Sequence, residues 1–278
     1  MQARFPKFDF SRFRAHWAAN PEFAQQFNAS SIVPAYIEPY LVKVMTWAKR
    51  ELDPTYTKLH LEMKIFIKQE VQHCKQHVAF NNLMHRAGYE GMLPIEKDYN
   101  SDYERFFATR PLKFNLAYCE GFEALGCASA EVWFSGALDH LLEGADAYAV
   151  ELWKWHLAEE FEHRTVCYDV FKTMYARGFW KSIVNGYFYR LFGFFVAVRH
   201  INSYTERCAA YLTGKDRETM SAEELQHSKA REQAFKKAVG RATLPRLLKV
   251  LSPFYDPRHK RMPRTMSELL ARYAARAS

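Results

Sequence analysis

Two short segments combine carboxylate and imidazole side chains at a spacing that could bind a metal ion. Glu70-Val-Gln-His73 and Glu160-Phe-Glu-His163 each place a glutamate three residues before a histidine. Residues three apart on a helix lie on the same face, so each pair can offer one oxygen and one nitrogen ligand. Both pairs lie among Phe, Trp, Val and Leu, where an unpaired carboxylate would be costly. We therefore predict that these four residues are metal ligands that meet inside the protein.

The same spacing can also arise without a metal site. A third pair, Glu224-Leu-Gln-His227, lies in a polar stretch, and we interpret it as a chance occurrence. For the charged residues around Glu160 the alternative is a solvated helix face. We assign Glu162 to such a face, because it points about 200° away from Glu160 at 3.6 residues per turn.

Further helices are needed to complete a site for two ions, and each should add a glutamate. Glu38 is the candidate on the first helix, where Pro39 is expected to restrict it to the first turn. The third helix offers Glu120 or Glu123, one turn apart. His156 precedes the second Glu-x-x-His pair by four residues on the same face, and we predict it as an additional ligand.

Three neighbouring residues are predicted to orient these ligands. Gln69 and Glu159 each precede a ligand glutamate and could accept a hydrogen bond from a histidine on the opposite helix, which would fix its tautomer. His77, one turn after His73, is assigned to the same outer layer or to the core. Carboxylate and imidazole ligands without cysteine suit two iron ions, with manganese or zinc as alternatives.

The elements that must position these residues are helices. The sequence is 49% hydrophobic and 16% aromatic, with only 11 Gly and 11 Pro in 278 residues, and its apolar residues recur with helical rather than alternating period. We predict an all-α fold. The long helices of the metal site are expected at residues 35–51, 58–86, 112–140 and 146–175.

The lengths of the connections indicate a topology. The link of about 25 residues between the second and third helices is long for adjacent helices and fits a crossover along a bundle. We predict a ferritin-like four-helix bundle with additional C-terminal helices, one domain overall. Its parts are an N-terminal arm (1–30), the di-metal bundle (31–178), and an aromatic helix, accessory helices and a basic tail packed on the bundle (179–278).

Charge and cysteine content narrow the functional classes. Residues 229–278 hold thirteen Lys/Arg and three Asp/Glu, a net charge of +10, so the rest of the chain carries about −2. Basic residues confined to a tail, with no recognition motif, argue against nucleic-acid binding. The five cysteines form no framework, and the N-terminal residues contain no signal-peptide pattern, which predicts a cytoplasmic protein.

Four stretches carry a family resemblance: FNASSIVPAYIEPY, FIKQEVQHCKQHVAFN, YCEGFEA and WHLAEEFEHRTVCYDVF. They resemble the bacterial proteins described as predicted metal-dependent hydrolases, over roughly residues 15–175. The resemblance implies a ferritin-like di-metal protein and favours Glu120 over Glu123 as the third-helix ligand. The His156, Glu160 and His163 arrangement is also similar to arylamine N-oxygenases, di-iron enzymes with an extra histidine ligand.

Two reactions are compatible with such a site. Two metals can activate water for hydrolysis, and two ferrous ions can instead reduce dioxygen and oxidise a bound substrate. The glutamate-rich ligands and apolar surroundings favour oxygen chemistry, with hydrolysis as the alternative and a non-catalytic iron-binding or membrane-associated protein as a third. Oxygen chemistry would require an electron donor.

The aromatic segment at residues 179–200 bears on the substrate. It is too interrupted by charge to span a membrane, and it is expected to pack on the bundle and help close an apolar cleft beside the metals. A membrane-surface location is the alternative. Both interpretations predict a hydrophobic small molecule or a lipid-like substrate. The sequence does not decide whether the protein forms a homodimer.

Overall fold

The structure, a computed structural model, describes residues 1–275, and every regular element within that range is helical, which confirms the all-α prediction. A π-helical turn (Val184–Tyr189) joins α9 to α10, and a 3₁₀ turn (Pro257–His259) precedes α12. The α-helices are α1 (Pro21–Ser30), α2 (Ile32–Glu51), α3 (Thr57–Arg86), α4 (Met92–Thr109), α5 (Leu112–Trp133), α6 (Asp139–Leu142), α7 (Ala147–His163), α8 (Val166–Tyr175), α9 (Phe179–Ile183), α10 (Arg190–Arg217), α11 (Ala222–Val250) and α12 (Arg264–Ala275).

Helices lie at all four places predicted for the metal site, with different bounds. They are α2, α3, α5 and the pair α7 and α8, and α2 packs on α3 while α5 packs on α7 and α8. The third ends at Trp133 instead of residue 140, and the fourth is interrupted at residues 164–165. Together they enclose the buried glutamates and histidines. The likeness to ferritin-type bundles stays a prediction.

Several segments expected to be irregular or separate are helical. The long link contains α4, whose Met92, Ile95, Tyr99 and Tyr103 are buried at helical spacing against α2 and α10. The N-terminal arm includes α1, and the basic tail includes α12, which packs on α7. The accessory helices predicted after the aromatic segment include one long helix, α11 (Ala222–Val250).

The position of Glu38 also differs from the prediction. It lies inside α2, because the helix continues through Pro39. A proline removes the N–H that would bond to the carbonyl four residues earlier, here that of Ala35. The Cys74 thiol of α3 donates to this carbonyl oxygen at 3.6 Å. The neighbouring helix therefore supplies the missing donor, and Glu38 sits mid-helix facing the bundle interior.

Helix α10 crosses α5 at backbone contact. A Cβ atom at Gly193 would lie 2.4 Å from the Ala117 carbonyl oxygen, and one at Gly121 would lie 2.7 Å from Cα of Phe194. Such close approach fixes the rotation of α10 about its own axis. No helix within residues 1–275 is long and apolar enough to cross a membrane.

Candidate metal centre

Seven buried carboxylate and imidazole side chains converge between α2, α3, α5 and α7. In each of two groups, the atoms that could bind a metal all lie within 4.8 Å of one another. The four-residue group is Glu38, His73, His156 and Glu160, and the three-residue group is Glu70, Glu123 and His163.

Glu160 lies between the two groups. Its Oε1 atom is 3.2 Å from Nε2 of His156 and 3.6 Å from Nδ1 of His73. The same oxygen is 3.5 Å from Nε2 of His163, in the other group. Glu38 approaches from α2, with Oε1 3.7 Å from Nδ1 of His73. One carboxylate therefore faces both groups.

The three-residue group is built around His163. Its Nδ1 atom is 3.1 Å from Oε1 of Glu70, and its Nε2 atom is 3.8 Å from Oε2 of Glu123. Glu70 also lies 4.0 Å from Nδ1 of His73. Three helices, α3, α5 and α7, supply this group.

The charges at the centre have no counterion among residues 1–275. Both carboxylate oxygens of Glu38, Glu70, Glu123 and Glu160 are buried without a hydrogen bond. No Lys or Arg nitrogen of the described chain lies within 4 Å of them. Four ionised carboxylates with three neutral imidazoles would carry a charge of −4, which two divalent cations would balance. Buried charge of this size is untenable without compensation, so the residues fit two metal ions.

The pKa shifts of the buried glutamates also indicate uncompensated negative charge at the centre. Burial, together with the negative charges of Glu70 and Glu160, raises the pKa of Glu38 well above its usual value. Burial and neighbouring carboxylates likewise raise the pKa of Glu70 and Glu123. Burial lowers the pKa of His73, so this imidazole is neutral. A cation at the centre would reverse the penalty on the carboxylates and keep them ionised.

Glu160 behaves differently from the other carboxylates. Burial acts to raise its pKa, but the imidazoles of His163 and His156 outweigh burial and hold the pKa below its usual value. Glu160 is therefore the carboxylate most readily ionised at this centre.

A second layer of hydrogen bonds fixes two of the histidines. Nε2 of His73 lies 3.0 Å from Oε2 of Glu159, as predicted for this glutamate, so its Nδ1 is free to face Glu38 and Glu160. Nδ1 of His156 lies 2.8 Å from Nε2 of His77, whose Nδ1 lies 2.9 Å from the Ser31 hydroxyl. If Nδ1–H of His156 donates to His77 and Nδ1–H of His77 donates to the Ser31 hydroxyl, Nε2 of His156 presents a lone pair to the metal centre.

Glu159 is in turn held from outside the bundle. Its Oε1 accepts a hydrogen bond from Nη1 of Arg4 at 2.8 Å. Burial raises the pKa of Glu159 to about 7, although Arg4 opposes the shift. The N-terminal arm thus reaches the layer behind His73.

The structure places three residues differently from their predicted roles. Gln69 donates to Oε2 of Glu162 at 2.8 Å and does not reach a histidine. Glu162 is mostly buried rather than on an open solvated face, and Arg4 contacts both of its oxygens at 2.9 and 3.1 Å. Glu120 lies outside both groups, with Oε1 3.3 Å from Nη1 of Arg190.

The register of α5 explains the position of Glu120. Residues three apart differ by about 60° around a helix with 3.6 residues per turn. Glu123 consequently points toward α3 and α7, while Glu120 points toward α10 and its arginine. The structure therefore brings Glu123, the rival candidate, to the centre.

An apolar cavity of about 710 Å³ opens beside His156 and Glu160. Phe122, Leu125 and Trp133 of α5 line it, together with residues of α1, α7 and α11. Gly126 also lines the cavity. A Cβ atom at this position would lie 2.5 Å from Oε2 of Glu160. The absence of a side chain at this position leaves room for the carboxylate.

The aromatic segment closes this cavity only at its C-terminal end. Val198 of α10 lines the cavity, and Ile201 and Thr205 continue the wall. Residues 179–195 do not line it, and many of their side chains are exposed instead. Residues 179–200 therefore help to close the cleft, as expected, but only through Val198 near the end of the segment.

Fold and site together define an all-helical protein with a buried glutamate and histidine centre. Comparison with protein families matches residues 2–261 to the family described as predicted metal-dependent hydrolase, and the chain belongs to that family. Searches of curated proteins and of solved structures found no match.

Proposed function

We propose that the chain is a di-metal hydrolase acting on a substrate with a hydrophobic body. One ion would bind to the four-residue group, the other to the three-residue group, and Glu160 would contact both. The observation that carries this proposal is the convergence of four buried carboxylates that lack hydrogen bonds and counterions. The family description supports hydrolysis.

The cavity beside the centre supports the substrate class. Its volume of about 710 Å³ falls in the range of small-molecule sites, and most of its lining side chains are apolar. It reaches the centre at His156 and Glu160, so a bound molecule would place its reactive end there. We infer an acyl or aromatic body with one hydrolysable bond at the inner end.

The chemistry that two divalent ions supply at such a site is Lewis-acid activation of the scissile group and acidification of water. The chain's own residues hold this site in place. Glu159 and His77 orient His73 and His156 through the nitrogens that face away from the centre. Walls from α5, α10 and α11 exclude bulk water, which strengthens electrostatic interactions inside.

Oxygen activation is the second candidate. The same carboxylate and imidazole donors suit two ferrous ions, which can reduce dioxygen. The observation that favours it is the burial of the entire centre behind an apolar wall, since oxidative chemistry benefits from excluding water. This reaction would need an electron donor, which the hydrolytic reaction would not.

One set of assays separates the two reactions. Metal-free protein is loaded anaerobically with Fe(II), Mn(II) or Zn(II), and bound metal is measured by mass spectrometry. Hydrolysis of p-nitrophenyl esters of increasing acyl length is then followed, and oxygen uptake is recorded for the Fe(II) form with a chemical reductant.

Hydrolysis predicts metal-dependent turnover that improves with acyl length and is lost in Glu160→Gln, without oxygen uptake. Glu120→Gln, another buried glutamate on the same bundle, should retain metal and turnover. Oxygen uptake with no ester turnover would contradict the hydrolase proposal and support oxygen activation instead. Failure to bind metal in any form would contradict both.

A further inference from the structure

A stripe of apolar side chains lies exposed along the segment that leads into α10. These side chains recur every three or four residues through α9, in which every residue is exposed, the π-helical turn and the start of α10. Trp180 is 74% exposed and Phe188 is 62% exposed, which is unusual for residues of this size. The aromatic stripe consists of Trp180, Val184, Phe188, Phe192 and Phe195.

The opposite side of the segment is locked to the bundle. Arg190 is buried and contacts Glu120 and the Val250 carbonyl oxygen at 3.3 and 2.7 Å. Gly193 meets α5 at backbone contact. Because these contacts fix the rotation of the helix, the aromatic stripe cannot turn inward. At the start of α10 the stripe is the outward face of a packed helix, and α9 before it has no buried residue.

The π-helical turn keeps the stripe aligned. In an α-helix, each step of four residues overshoots a full turn by about 40°. Three such steps from Trp180 to Phe192 would move the side chain well around the helix. The wider turn at Val184–Tyr189 takes back part of this rotation, so both residues remain on the exposed side.

The charged residues within the segment itself are all basic. Residues 170–205 contain no Asp or Glu, whereas Lys181 and Arg199 are exposed beside the stripe. Nζ of Lys113 lies 4.1 Å from the ring centroid of Tyr189, next to the stripe. Aromatic residues flanked by Lys and Arg are typical of a helix that lies in the interface of an anionic bilayer.

We propose that the aromatic stripe docks the protein onto the surface of an anionic lipid bilayer. The Trp180 and Phe188 side chains would enter the boundary between headgroups and acyl chains, while Lys181 and Arg199 would face lipid phosphates. A second copy of the chain fits this face less well. A symmetric interface would bring the same cationic surface against itself. The proposal does not depend on metal binding.

The test is flotation of the full chain with vesicles of phosphatidylcholine, with or without phosphatidylglycerol. We expect binding to the anionic vesicles that weakens with added salt. Replacing two stripe residues, in Trp180→Ser with Phe188→Ser, should lower the partition coefficient by at least about tenfold. A matched pair, Leu61→Ser with Leu93→Ser, removes apolar side chains exposed on α3 and α4 and should leave binding unchanged.

Trp180 also provides a spectroscopic readout of depth. Of the six tryptophans, Trp47 is half-buried and the other four are at most 5% exposed, so a quencher in the lipid reaches Trp180 first. Brominated phosphatidylcholine mixed with phosphatidylglycerol should quench its fluorescence on binding. Trp180→Phe should keep most of the binding and lose the quenching.

Three outcomes would overturn the proposal. The first is failure of the intact chain to bind anionic vesicles at low salt. The second is equal binding by the stripe variant and the leucine control. The third is a dimer in light scattering that becomes a monomer in the stripe variant without any vesicle binding, which would assign the face to a second copy.

Discussion

The four-residue group and the three-residue group differ in what lies behind their histidines. His73 and His156 each use the nitrogen that faces away from the centre to contact another side chain, Glu159 or His77. Neither ring nitrogen of His163 forms a hydrogen bond within residues 1–275. The His163 ring packs on the ring of Phe66, with centroids 4.7 Å apart. The two histidines of the first group are therefore oriented by outer partners before any ion binds, whereas His163 of the second group has no such partner within residues 1–275.

This contrast implies an order of binding. A prearranged set of ligands loses less conformational freedom when an ion binds, so its affinity is higher. We expect the first ion to bind at the four-residue group. The second then completes the site with Glu70, Glu123 and His163. Glu160 faces both groups and Glu70 also approaches His73, so the groups are best separated experimentally through side chains that contact one group alone, such as His77.

The largest loss of metal affinity is expected from Glu160→Gln. Because Oε1 of Glu160 lies within 3.6 Å of histidines in both groups, its loss should weaken both ions. The loss should exceed the roughly 10- to 100-fold cost of removing an outer hydrogen-bond partner. Mass spectrometry of bound metal after dialysis measures it. Full occupancy at both positions would show that the centre is not organised around this residue.

The stability of the metal-free protein should depend on pH in the direction set by the carboxylates. The pKa values of Glu38, Glu70 and Glu123 are raised in the folded state, so the folded state holds protons that the unfolded state releases above about 4.5. The contribution of these three carboxyl groups to the free energy of unfolding therefore falls as pH rises. The lowered pKa values of His73 and His77 act oppositely, but only below their unfolded value of 6.5.

Above pH 6.5 the carboxylates therefore dominate. The free energy of unfolding should decrease with rising pH, by up to about 1.4 kcal/mol per pH unit for each proton involved. Urea denaturation between pH 6.5 and 8.5 measures the slope. Glu123→Gln should flatten it by removing one such group. In the metal-loaded protein the slope should reverse, because the ions require deprotonated ligands.

A smaller, one-sided effect is expected from His77→Leu. This change removes the partner of Nδ1 of His156 and should weaken the ion at the four-residue group about 10- to 100-fold, leaving the other group nearly unchanged. Two-step metal titration by calorimetry distinguishes the sites. Gln69→Leu is the control, because Gln69 contacts Glu162 and Gln2 rather than a histidine. Equal loss at both sites would remove the distinction between the groups.

The smallest change adds one methyl group. In Gly126→Ala the Cβ atom would lie 2.5 Å from Oε2 of Glu160, so the carboxylate must move and metal affinity should fall by a few-fold. Gly214→Ala places the same group in open space on α10 and should raise thermal stability by up to about 1 kcal/mol without changing affinity. Identical metal affinity in both variants would show that the position of Glu160 tolerates displacement.

The sequence predicted those parts of the centre that depend on spacing within one helix. Glu70, His73, His156, Glu160 and His163 all reach the centre, as helical period requires, but each Glu-x-x-His pair is divided between the two groups and His156 joins His73 rather than His163. Glu120 and Glu123 could not be separated in this way, because both lie among apolar residues one turn apart. Which one faces the centre depends on the rotation of α5 against α10.

Other contacts depend on tertiary structure alone. Arg4 reaches Glu159 across 155 residues, and Ser31 reaches His77 across 46, so no local pattern indicates either. In the fold, α1 could have been recognised, since Asn20 and Pro21 form a standard helix start at which the Asn20 side chain accepts from the N–H of Phe23. The continuation of α2 through Pro39 could not, because the donor that meets the unpaired Ala35 carbonyl is a thiol on another helix.

The close crossing of α5 and α10 has a consequence for how the protein can diverge. Gly121 and Gly193 each face the other helix's backbone with no room for a methyl group. Enlarging either residue would push the helices apart, so each glycine is needed for the other helix to approach. A relative that carries a larger residue at one position should show altered packing residues across the crossing.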